Sequence, residues 1–246
     1  MKKIFLILFL CEFLFSHDLW LSVKKVGNDS VKIIPVITEN FPKTEELKKF
    51  NRFRDLKYFD GINSQSFEID SISFLVLQNK FPIVSSCTVL PRDLTFPTKI
   101  ANHYLVGEIG LTKEEIKVLL AGQKDSITEN YRRCLKVISF NSESEKNISD
   151  FNFGLEREIV ISEYKIIDSK TAKLKLKLFS NGQILTNKKI RILEGKRSRL
   201  ISVNENGIAE CTIKTKFPIL FSFISFWKTE NGNFESVWTN LSLVKI

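Results

Sequence analysis

Lys173-Leu174-Lys175-Leu176-Lys177-Leu178 decides how this chain is to be read. Lysine and leucine alternate without a break, so the leucines share one face and the lysines the other. That is the period of a half-buried strand and not of a helix. Asn181-Gly182 follows as a turn, and Ile190, Ile192 and Leu193 mark the next strand. Leu200–Val203, the turn Asn204-Glu-Asn-Gly207 and Ile208–Ile213 predict a hairpin. Phe217–Trp227 and Val237–Val244 predict a second one around Asn231-Gly232. Strands at this spacing, with no helical pattern between them, predict an immunoglobulin-like sandwich over residues 156–246.

Working back toward the amino terminus, Leu19–Thr38 reads as two strands joined at Gly27-Asn-Asp-Ser30, with Asn40-Phe41-Pro42 closing the second. A turn of helix is expected at Thr44–Phe50. Short strands are expected at Ser66–Leu77, Ser85–Leu90 and His103–Glu108, with breaks at Asn79–Pro82 and Pro91–Pro97. This makes residues 17–110 an N-terminal β-sandwich-like domain. Between the halves, Thr112-Lys-Glu-Glu115 and Ser126-Ile-Thr-Glu129 both have the capping-box form. Apolar residues behind each fall on one helical face, which predicts two short helices meeting near Gly122. Asn141–Asn152 is polar and reads as a mobile linker, so residues 111–155 form a helical insertion with linker. The fold class expected is mainly β.

Residues 1–16 have the parts of a secretory signal: Lys2 and Lys3, an apolar run from Ile4 to Leu10, and the small Ser16 at the cut. The expectation is an exported, periplasmic or secreted protein whose mature chain starts at His17. Of the formal +9 charge, the leader carries a net +1. The remaining lysines are dispersed rather than gathered in a stripe, which argues against nucleic acid. Peripheral membrane contact is not predicted. Cys87, Cys134 and Cys211 allow at most one intrachain disulfide, and their spacing matches no zinc pattern. No nucleophile elbow, Walker loop or dinucleotide turn is present, so the chain reads as non-catalytic.

Six stretches recur together in one family: His17-Asp-Leu-Trp20, Asn40-Phe-Pro42, Glu129-Asn-Tyr-Arg132, Phe179–Ile184, Asn204–Ala209 and Trp238-Thr-Asn-Leu241. In these the chain resembles the bacterial family named for a nickel-uptake substrate-specific periplasmic domain. The resemblance implies a periplasmic β-rich protein with an immunoglobulin-like C-terminal half. It also implies a role in transition-metal acquisition, with a membrane metal transporter component as partner. Glu39 stands before Asn40 where relatives often carry a histidine.

The chain has two histidines, His17 and His103. A histidine at a mature terminus offers an imidazole and an amine whose ordinary pKa is about 7.7–8.0, enough for a chelate on nickel(II) or copper(II). His103 is the candidate third nitrogen. Asp18 and Glu39 are candidate oxygen ligands or partners that orient an imidazole. The function expected is therefore binding of nickel or copper, or its delivery to a transporter. The alternative is an exported β-sandwich interaction module without metal, with Phe226, Trp227 and Trp238 as an aromatic patch.

Overall fold

The structure is a computed structural model, which describes residues 18–27, 30–38, 41–43, 45–46, 51–59, 64–67, 74–77, 82–123 and 125–246. It opens with the expected hairpin, β1 (Asp18–Lys25) against β2 (Ser30–Thr38), in register from Asp18 opposite Thr38 to Lys25 opposite Val31. Then come β3 (Glu45–Glu46), β4 (Phe53–Phe59), β5 (Ser64–Phe67), β6 (Phe74–Leu77) and the long β7 (Ile83–Pro97). Helix α1 (Thr98–Tyr104) runs into a π turn, Leu105–Ile109, and α2 (Lys113–Leu119) follows. After β8 (Ser126–Phe140) the chain continues as β9 (Arg157–Asp168), β10 (Thr171–Ser180), β11 (Gln183–Ile184) and β12 (Lys189–Glu194). It ends with β13 (Arg197–Ser202), β14 (Ile208–Lys214), β15 (Ile219–Lys228) and β16 (Phe234–Lys245). Among the described residues no helix is long and apolar enough to cross a membrane.

The mainly β fold with two inserted helices is the one expected. Its centre is an eight-stranded sheet in the order β13-β12-β15-β16-β8-β7-β4-β5. One four-stranded sheet (β1, β2, β3, β6) covers one face, and another (β9, β10, β11, β14) covers the other. Successive residues of the central strands serve opposite cores. Leu135, Val137 and Leu220 pack with Trp20, Leu21 and Ile33, whereas Ile138, Ile219 and Phe221 pack with Leu174, Leu176 and Leu178. The β10 leucines are buried as the alternation predicts, and Lys173 and Lys175 pair outside with Glu210 and Glu163 at 2.8 and 2.6 Å. Burying each leucine stabilises by about 1.5–3 kcal/mol. Surface ion pairs add about 0–1 kcal/mol. The leucines therefore fix which face of β10 points inward.

Several local expectations change. Ser126–Phe140, expected as the second helix, is the strand β8, paired antiparallel to β7 and parallel to β16. From Cys134 onward it is buried on both faces, so its apolar residues lose the period of two and mimic a helical stripe. His103–Glu108, expected as a strand, is helix and π turn; Ala101, Tyr104 and Leu105 recur at helical spacing and are buried. Pro91–Pro97, expected as a break, continues β7 past a register shift between Val89 and Arg92. Leu200–Val203 and Ile208–Ile213 do not pair as a hairpin. β13 joins β12 while β14 joins β10, and the Asn204–Gly207 turn carries the chain between sheets. Within Thr44–Phe50 only β3 is described; the rest lies outside the described residues.

Asn141–Asn152, expected as a mobile linker, is pinned. Asn141 and Ser144 exchange hydrogen bonds, Ile148 is buried, and Glu145 accepts from Tyr164 (2.8 Å) and Lys245 (2.7 Å). Next to it Lys136 and Glu158, 2% and 1% exposed, form an ion pair of 2.7 Å. Lys136 also donates to Phe151 O (3.0 Å), and Glu158 accepts from the amides of Phe153 (2.9 Å) and Leu155 (3.2 Å). A buried pair is tolerable only when its remaining hydrogen-bonding capacity is met in this way.

Candidate functional site

Where β1 begins, it is tied to the central sheet by polar side chains. Asn240 Nδ2 donates to Leu19 O (2.6 Å) and Ser242 Oγ to Leu21 O (2.5 Å). Arg191 of β12 donates through Nη2 to Asp18 Oδ1 and pairs through Nη1 with Glu108 Oε2 of the π turn. Asp18 and Arg191 are each 7% exposed. One guanidinium thus binds the first described residue, the central sheet and the helical insertion together. A planar fork reaching two carboxylates is a task for arginine and not for lysine. Burial raises the pKa of Glu108, while Arg191 acts in the opposite direction.

A second buried polar group lies on β8 and β16. Glu129 Oε1 accepts from Ser236 Oγ and, at 3.4 Å, from Tyr104 OH; Trp238 Nε1 donates to Ser236 Oγ at 3.0 Å. Tyr104 stacks on Trp238 with centroids 5.5 Å apart and planes 7° apart, and the Arg133 guanidinium lies 4.5 Å from the Trp238 centroid. Burial raises the pKa values of Glu129 and Tyr104 and lowers that of Arg133. Glu129 and Ser236 are 2% and 0% exposed, so no substrate reaches them in this conformation. Arg133 Nη1, Arg191 Nε and Trp20 Nε1 are buried without a hydrogen-bond partner among the described residues.

The four expected ligands stand as follows. His17 and Glu39 lie outside the described residues. Asp18 is bound to Arg191 and has its charge neutralised there. His103 is an exposed residue of α1 and lines a cleft with Lys113 and Lys117, whereas Glu108, farther along the same helical stretch, points to Arg191 and Asp18. Asp18 thus pairs with Arg191, while His103 lines a cleft to which Asp18 does not contribute. Among the described residues no group of three or more His, Cys, Asp or Glu side chains converges as a metal would need.

Sequence reasoning missed Arg191, Glu108, Arg133 and the buried role of Glu129. No local pattern announces them, because their partners come from strands far apart in the chain. Of the aromatic patch, Trp238 is core, and Phe226 and Trp227 are half-buried beside Arg157. The chain matches no protein-family model and no curated protein at a significant level.

Proposed function

We propose that this is an exported, non-catalytic protein that binds nickel(II) or copper(II) through the amine and imidazole of a mature amino-terminal His17. Asp18 and His103 are not ligands in this reading. The observation that supports it is the anchoring of β1: Asp18, Leu19 and Leu21 are each held to the central sheet by a side chain. A chelating residue joined to so fixed a point spends little conformational entropy on binding. Delivery to a membrane metal transporter component is the role this reading implies, in keeping with the family resemblance.

Native mass spectrometry of the secreted protein, with and without each metal, tests it. One ion per chain is expected on a mass that starts at His17, and a chain beginning at Asp18 should lose the ion. Asp18→Asn should keep it, since the carboxylate serves Arg191. A secreted mass starting elsewhere, or no binding at micromolar metal, overturns the metal reading and favours an interaction module.

A further inference from the structure

The cleft that holds His103 belongs to neither buried polar group. It lies between α1, the π turn and α2, with a volume of about 730 Å³, inside the range of small-molecule sites, roughly 300–1,000 Å³. Its floor is aliphatic. Ile116 and Leu120, 5% and 7% exposed, reach it from the core beneath, and Val106 is 49% exposed. The remaining lining is cationic or neutral, and among the described residues no carboxylate contributes to it. Lys113 and Lys117 are one helical turn apart on the exposed side of α2, a spacing at which like charges repel. His103 adds a third basic group from α1, and none of the three makes an ion pair among the described residues. Of the two first-turn acids, Glu114 and Glu115, Glu115 is engaged by the Thr112 amide at 2.7 Å. Thr98 Oγ1, also in the cleft lining, is a buried hydroxyl without a hydrogen-bond partner among the described residues. The π turn, a feature often kept at functional sites, shapes the wall through Val106 and Gly107.

We propose that this cleft binds a single-chain amphipathic anion, a long-chain fatty acid. Its carboxylate lies among Lys113, Lys117 and His103, and its hydrocarbon runs along Val106, Ile116 and Leu120. Charge selects the head and the aliphatic floor selects the tail; a small inorganic anion would leave the floor unused. One acyl chain suits the volume better than the two of a diacyl lipid. The site does not depend on His17 or on metal.

The test is titration of the purified protein with cis-parinaric acid, followed by its fluorescence. A saturable rise at one equivalent is expected, with affinity at least tenfold weaker in the K113E/K117E double variant. Both positions are exposed, so an unchanged melting temperature separates lost binding from lost fold. Val106→Trp, which narrows the cleft without altering charge, should weaken binding as well. The methyl ester of the same acid should bind at least tenfold more weakly. No saturable signal, equal affinity in the double variant, or equal affinity for the ester overturns the proposal. So does sedimentation with phosphatidylglycerol vesicles without uptake of the free acid.

Discussion

Glu129 shows how far one residue's meaning depends on its surroundings. In the sequence it closes a capping box begun by Ser126. In the fold it is a buried carboxylate taking hydrogen bonds from Ser236 and Tyr104, beside an arginine stacked on Trp238. Burial holds its pKa above the ordinary 4.5, so the folded chain keeps this proton more readily than the unfolded chain. A raised folded value gives a contribution to stability that is complete below pH 4.5 and is lost as pH rises through the raised value. Urea unfolding at stepped pH should therefore show wild-type stability falling relative to Glu129→Gln over that window. A difference that does not vary with pH would reject burial as the cause. His103, Asp18 and Arg191 teach the same lesson: residue type limits the chemistry, and neighbours choose among the options.

At the scale of elements, legibility follows how local the signal is. The Thr112 capping box is present in full, with Thr112 Oγ1 accepting from the Glu115 amide at 3.2 Å and Glu115 Oε2 accepting from the Thr112 amide at 2.7 Å. Everything it needs lies within four residues. The equal-looking box at Ser126 fails because β7 and β16 recruit that stretch into a sheet, where it is covered on both faces. Thr112→Ala should cost about 0.5–2 kcal/mol. The loss should be concentrated in α2, where amide exchange at Ile116 and Leu120 would quicken while that of β8 and β16 stays unchanged. Equal acceleration across the central sheet would mean that the cap supports the whole fold. The amino-terminal hairpin and the β15–β16 hairpin were legible for the same reason as the true cap: each is two adjacent strands and a short turn. The Asn204–Gly207 turn is legible in the sequence, but the sheets it joins are not. Strand choice there depends on β10 and β12, which lie elsewhere in the chain.

At the scale of the molecule, the eight-stranded sheet takes β4, β5, β7 and β8 from the first part of the chain and β12, β13, β15 and β16 from the last. Cys87 and Cys134 lie on it, and Cys211, on β14 of a covering sheet, packs in the core between the two. Cys87, Cys134 and Cys211 are free and buried, and burial raises Cys134 and Cys211 to about 11 and Cys87 further. Thiolate, the reactive form, is scarce at such values. Ellman's reagent at pH 8 should leave all three untouched in the folded protein and modify all three in denaturant; a fast-reacting thiol in the native state would contradict this core. The sequence alone determined a mainly β chain, the period of β10, the terminal hairpins and one helix cap, because alternation, turn chemistry and capping act between residues close in the chain. The tertiary structure alone decided that β8 is a strand and that Arg191 clamps Asp18 to Glu108. It also placed His103 in one cleft with Lys113 and Lys117. Those outcomes rest on burial and on contacts between distant strands, which become defined only once the sheets have stacked.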